Sequence, residues 1–179
     1  MKIPRILAVL VALLAAAGAG AQEALPLEAF FGRWDGSAIG KRVEETTVGY
    51  GVRDLDVRIS GTADGFEITW VTVIRAQDAG ADAEAQRRAT TARFVRASPS
   101  TWEAEGADGP GAGRSHSWAR LEGRSLNVYV LEIDGRGIYQ MSRYERTIST
   151  AGVMGLRFTR IRDGTTVRRV TGSLLPAAD

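Results

Sequence analysis

The chain has 179 residues, with 23 Lys and Arg against 21 Asp and Glu, one histidine and no cysteine; this excludes disulfides, thiolate metal sites and lipid attachment through an N-terminal Cys. Its apolar content of 44% and charged content of 25% are those of an ordinary globular domain. Loss of a leader carrying Lys2 and Arg5 leaves 21 cations against 21 acids, so the basic surplus of a nucleic-acid-binding domain is missing.

The first 21 residues read as a secretory signal peptide: Lys2 and Arg5, then an apolar run from Ile6 to Ala17, then Ala19-Gly20-Ala21. The run is shorter than the ~20 residues that cross a bilayer as a helix. Cleavage after Ala21 is expected, giving a periplasmic or secreted protein with no membrane span. Residues 22–179 are of ordinary size for one domain. Charge is segregated within it: residues 22–108 hold 15 acidic and 10 basic side chains, and residues 109–179 hold 6 and 11. A local anion site in the second half fits that imbalance.

From there on, period-2 patterns separated by Gly and Asp turn signals recur, and no long 3.6-residue periodicity appears. "LEAFFGRWDGSA" (27–38) opens the first strand. In "RDLDVRIS" (53–60), Leu55, Val57 and Ile59 alternate with Asp54, Asp56 and Arg58. After an Ala-Asp-Gly turn, Phe66, Ile68, Trp70 and Ile74 continue the inner face. "TTARFVRASPSTWEAE" (90–105) reads as a strand interrupted at Pro99, because proline cannot donate to a central ladder. Two hairpins, 116–133 and 138–149, lead into a last one, 152–175. The fold class is therefore all-β, an antiparallel up-and-down meander of about 8–10 strands closing into a barrel, which removes exposed edges.

In the last hairpin a three-residue loop, Arg162-Asp163-Gly164, pairs Phe158 with Arg168, Leu156 with Val170 and Met154 with Gly172. Arg168 then points inward among apolar neighbours. A buried cation needs a partner there, because leaving it unpaired costs several kcal/mol.

The Gly32-x-Trp34 at the head of the first strand, a short turn before it and a meander after it resemble the calycin group, the lipocalins and fatty-acid-binding proteins. That resemblance implies a barrel whose tryptophan plugs the closed end, with an arginine of the final strands packing on it or meeting a ligand carboxylate. Gly32 and Trp34 carry the likeness and Arg168 extends it. The helical lid of fatty-acid-binding proteins and the helix that follows lipocalin barrels have no counterpart in the sequence pattern.

The resulting expectation is a lipocalin-like binding protein for a small apolar or amphipathic ligand, with Arg168 holding a polar or anionic end. Trp34, Phe66, Trp70, Phe158 and Arg168 are the site residues, with Leu55, Val57, Ile68 and Val170 completing the wall. No cofactor, metal or nucleic acid is implied. The alternative is a packed β-domain acting as an interaction module or homodimer, prompted by "ITWVTVI" and "LNVYVLEI", whose Val71, Val73, Tyr129 and Leu131 make both faces apolar. An outer-membrane barrel is disfavoured, since Asp54, Asp56, Arg58, Arg93, Arg143 and Glu145 break any lipid-facing band.

Enzymatic readings find little support. His116 in "RSHSWA" has only Ser115 and Ser117 beside it and no Gly-x-Ser-x-Gly elbow exists. "GADGPGAG" (106–113) lacks the Lys-Ser/Thr of a phosphate loop. Asp78, Asp82 and Glu84 match no calcium-loop spacing. "RIRDGTTVRR" (160–169) is an arginine cluster at a hairpin tip, of a kind that can touch phosphate headgroups or lipopolysaccharide but is more often simply solvated.

Overall fold

A computed structural model describes residues 23–44, 47–74, 86–106 and 114–178. The leader, Asp78, Asp82, Glu84 and most of the "GADGPGAG" stretch lie outside the described residues. Ten strands follow in order: β1 (Gly32–Glu44), β2 (Thr47–Gly61), β3 (Gly65–Ile74), β4 (Gln86–Ser98), β5 (Thr101–Ala104), β6 (Ser115–Glu122), β7 (Ser125–Ile133), β8 (Tyr139–Ile148), β9 (Met154–Arg162) and β10 (Thr165–Ala177). Each pairs antiparallel with its neighbours in sequence, and β10 returns to β1 to close the barrel. Closure leaves the meander without a first or last free edge, as the alternation of the sequence implies.

Where β1 meets β10 the backbones come close. A Cβ at Gly36 would run into the Ser173 carbonyl oxygen, so that position requires glycine.

One end of the barrel is filled. A 3-10 turn, Leu27–Phe30, lies across it and inserts Leu27 and Phe30. The N-terminal segment is tied to the β6–β7 turn by Leu25 N–H donating to the Gly123 carbonyl at 2.9 Å. Trp34, Ile59, Phe66, Ile68, Phe94, Trp102, Leu126, Met154 and Leu174 pack behind the turn. Phe66 stacks on Phe94 with centroids 5.0 Å apart and meets the edge of Trp102 at 5.7 Å. Burial of each such side chain contributes about 1.5–3 kcal/mol.

Trp102 reaches this core through a hairpin where the sequence pattern implies one interrupted strand. Pro99 and Ser100 form the turn between β4 and β5, which pair from Phe94↔Ala104 to Ser98↔Thr101. Proline ends the first strand because it has no N–H to donate, and the chain doubles back. β5 ends at Ala104 and the Glu105 N–H still donates to the Arg93 carbonyl at 3.0 Å, so among the described residues β4 from Gln86 to Ala92 has no strand partner on its β5 side.

The last hairpin also differs from the expected loop. Thr165 faces Arg162, leaving Asp163 (φ 46°) and Gly164 (φ 77°) as a two-residue turn with both central φ positive. A bulge between Thr166 and Arg168 then shifts the register, so Phe158 faces Val170, Leu156 faces Gly172 and Met154 faces Leu174. The short turn alone would reverse the faces of β10, and the extra residue of the bulge restores them. Arg168 consequently faces inward, opposite Arg160 and not Phe158.

The outer face carries ion pairs, including Arg33–Asp56 at 3.2 Å, Arg93–Asp64 at 3.1 Å and Arg143–Glu145 at 3.1 Å. The outward Val71, Val73, Tyr129 and Leu131 are half-buried by neighbours, Tyr129 stacking on Trp118 at 5.0 Å. Among the described residues no helix is long and apolar enough to cross a membrane.

Candidate functional site

Above the filled end the barrel encloses a cavity of about 460 Å³. A packed, cavity-free interior, the premise of the alternative reading, is therefore not what the barrel has. Leu55, Val57, Trp70, Val128, Tyr144, Leu156, Phe158 and Val170 form its apolar wall, with Phe94 at the floor. Among the described residues, four arginines, Arg88, Arg146, Arg160 and Arg168, line the same space against one acid, Glu132.

Strand periodicity places these groups. On β8, Ser142, Tyr144 and Arg146 point inward at two-residue steps, while Arg143 and Glu145 point out and pair with each other. Arg146 is 2% exposed, and its Nε and Nη1 have no hydrogen-bond partner. Its guanidinium lies 5.8 Å from the Trp70 ring and 5.8 Å from the Tyr144 ring. Burial pushes the guanidinium down to about 10, the nearby Tyr144 acting weakly the other way, so the group stays charged at neutral pH. Burial likewise raises the Tyr144 phenol above its ordinary value, so its hydroxyl stays neutral.

Nearer the rim, Arg160 Nε donates to Ser142 Oγ at 3.1 Å. The Arg160 guanidinium lies 5.5 Å from the Phe158 ring, and that of Arg168 lies 5.9 Å from the same ring. Gln140 Nε2 donates to Glu132 Oε2 at 2.6 Å, occupying the one acid of the wall. Among the described residues none of the four arginines makes an ion pair.

Of the residues expected at a site, Trp70, Phe158 and Arg168 line the cavity, and so do Leu55, Val57 and Val170. Trp34, Phe66 and Ile68 do not: they are buried in the filled end, because Trp102 and the 3-10 turn complete a solid core around them. The arginine-on-tryptophan plug is also absent. Trp34 faces Pro176 and Arg42 faces Arg168, eight residues away along β10, which is ~26 Å at ~3.3 Å per residue. Trp34 instead donates from Nε1 to the Phe30 carbonyl at 3.0 Å, fastening the 3-10 turn across the barrel end.

Trp34→Phe is expected to destabilise the fold by about 1–2 kcal/mol, since the Phe30 carbonyl is left unpaired and a small void opens. Urea denaturation reads the loss, and affinity of the folded barrel for an anionic probe should not change.

Within the arginine cluster of residues 160–169, Arg160 and Arg168 enter the cavity; the pleat turns Arg169 outward, and Arg162, in phase with Arg160, is exposed at the end of β9. Ser115 and Ser117 face the cavity and His116 lies on the outer side, 5.6 Å from Trp118, so this triplet forms no Ser–His pair. Among the described residues Arg146 is the most buried cation, and no motif in the sequence marks it. Its signal was its phase, two residues beyond Tyr144 and two before Ile148 on one face of β8. The sequence matches no protein-family model and no curated protein, so the functional reading rests on the cavity.

Proposed function

We propose that the barrel is a binding protein for a small amphipathic molecule with an anionic group, holding it in the manner of lipocalins without transforming it. The observation that carries this is Arg146: a charged guanidinium buried in the cavity wall with Nε and Nη1 unpaired. A buried cation without a partner costs several kcal/mol, and an anion arriving from solvent removes that cost. The apolar wall would supply the rest of the affinity at ~25 cal/mol per Å² buried, and a cavity of about 460 Å³ is within the ~300–1,000 Å³ range of ligand sites. Export by the residue 1–21 leader would put the protein where such molecules pass between membrane and medium.

The test is titration of refolded, delipidated protein with dodecanoate and with dodecanol, followed by displacement of anilinonaphthalene sulfonate. Dodecanoate should bind once per barrel at about micromolar Kd, and dodecanol at least about tenfold more weakly. No probe binding, no binding of either ligand and no co-purified lipid would overturn the reading.

A further inference from the structure

Three of the four cavity arginines stand in two tiers on β8, β9 and β10, and the fourth, Arg88, stands apart on β4. Arg146 faces Leu156 across β8–β9, and Leu156 faces Gly172 on β10. Ser142 faces Arg160, and Arg160 faces Arg168. These rows are four residues apart on β8, ~13 Å along the strand and ~10 Å along the axis at the usual barrel tilt. Between them stand Tyr144, which faces Phe158, and Val170 beyond it. The two rings are 4.7 Å apart, and Trp70 lies 5.4 Å from Tyr144.

Among the described residues no carboxylate pairs with either tier. Arg160 and Arg168 approach one Phe158 ring from the rim side with no carboxylate on either, while Glu132 is engaged by Gln140. Arg146 is enclosed and has no anion either. A single carboxylate reaches one tier and leaves the other uncompensated. We propose that the ligand is a dianionic amphiphile, with one acid group on Arg146, a second on Arg160 and Arg168, and an apolar span between them along Trp70, Tyr144 and Phe158. This rests on the reading that the cavity holds an anionic ligand, and it adds the number and spacing of the charges. Charge-assisted hydrogen bonds to guanidinium favour carboxylate or phosphate ends equally; the span between two separate acid groups is what the geometry asks for.

Calorimetry on the leaderless full chain tests it with α,ω-dicarboxylates from hexanedioate to tetradecanedioate, the matched monocarboxylates, and the monomethyl half-esters of the diacids. At the best length the diacid should bind one per barrel and at least about tenfold more tightly than either the monocarboxylate or the half-ester. Arg168→Met should remove most of that preference and Arg168→Lys should restore part of it. The half-ester arm needs no variant, so it decides the matter even where a substitution fails to fold. Diacids no tighter than monoacids at every length, or two monocarboxylates per barrel, would overturn the two-tier ligand and leave the binding reading standing. Binding of an alkyl phosphate in preference to every diacid would also overturn it, because that places both charges on one tier. Failure of both series together with anilinonaphthalene sulfonate would remove the binding reading and this inference with it.

Discussion

Arg146→Met is expected to make the ligand-free protein more stable while removing most of its affinity for anionic ligands. Two opposed effects set the sign. The Trp70 and Tyr144 rings each stand 5.8 Å from the guanidinium, and each cation–π contact contributes ~0.5–2 kcal/mol. Against them, taking the charge out of water costs several kcal/mol, and the unpaired Nε and Nη1 recover none of it through hydrogen bonds. Desolvation wins, so a methionine that fills the same channel should stabilise by about 1–4 kcal/mol, raising the melting midpoint by several degrees. Affinity for dodecanoate should fall at least about tenfold.

The pH dependence follows from the direction of the shift. The folded guanidinium is lowered to about 10 from an ordinary 12.5, so below about pH 10 the fold bears the full cost of the cation, and the cost fades as pH rises through that value. The stability gap between variant and native chain should therefore be flat from about pH 6 to about pH 9 and narrow above it. A variant less stable than the native chain across that range would show that the two rings more than offset the desolvation, and the argument for an arriving anion would lose its premise.

On strands with one apolar phase, which residues face inward was legible from alternation; how high each sits was not. Phe158, Val170 and Arg168 share the inner face as read from the sequence, although the turn has two residues and a bulge follows it. Face depends on parity, and the shorter turn and the bulge together preserve parity while moving the register by two from the expected pairing. Height depends on register and on what the other strands contribute. Trp34 and Phe66 share the phase of the cavity residues, yet the barrel is solid at their level because the hairpin at Pro99 delivers Trp102 there. Arg146 carries no such signal because β8 is charged in both phases: Arg143 and Glu145 on one face, Arg146 beside Ser142 and Tyr144 on the other. Only pairing with Leu126 and Leu156 shows which phase is interior.

That division of the interior into a solid floor and a lined cavity predicts opposite outcomes for two phenylalanines that the sequence treats alike. Phe66 is fully buried between Phe94 and Trp102, so Phe66→Ala should cost about 3–5 kcal/mol, a large share of the ~5–15 kcal/mol that holds a domain together. The urea midpoint should drop steeply, while the affinity of the remaining folded barrel for dodecanoate stays at the native value. Phe158 faces the open cavity and lies under the Arg160 and Arg168 guanidiniums. Its truncation enlarges a space that already exists, so the expected stability loss is smaller, about 1–3 kcal/mol. Affinity should fall several-fold, because the ring is both wall and support for the two rim cations. Denaturation and titration of the two variants side by side separate the effects. If Phe66→Ala weakens binding as much as Phe158→Ala does, the ligand reaches the floor, and the filled end is part of the site.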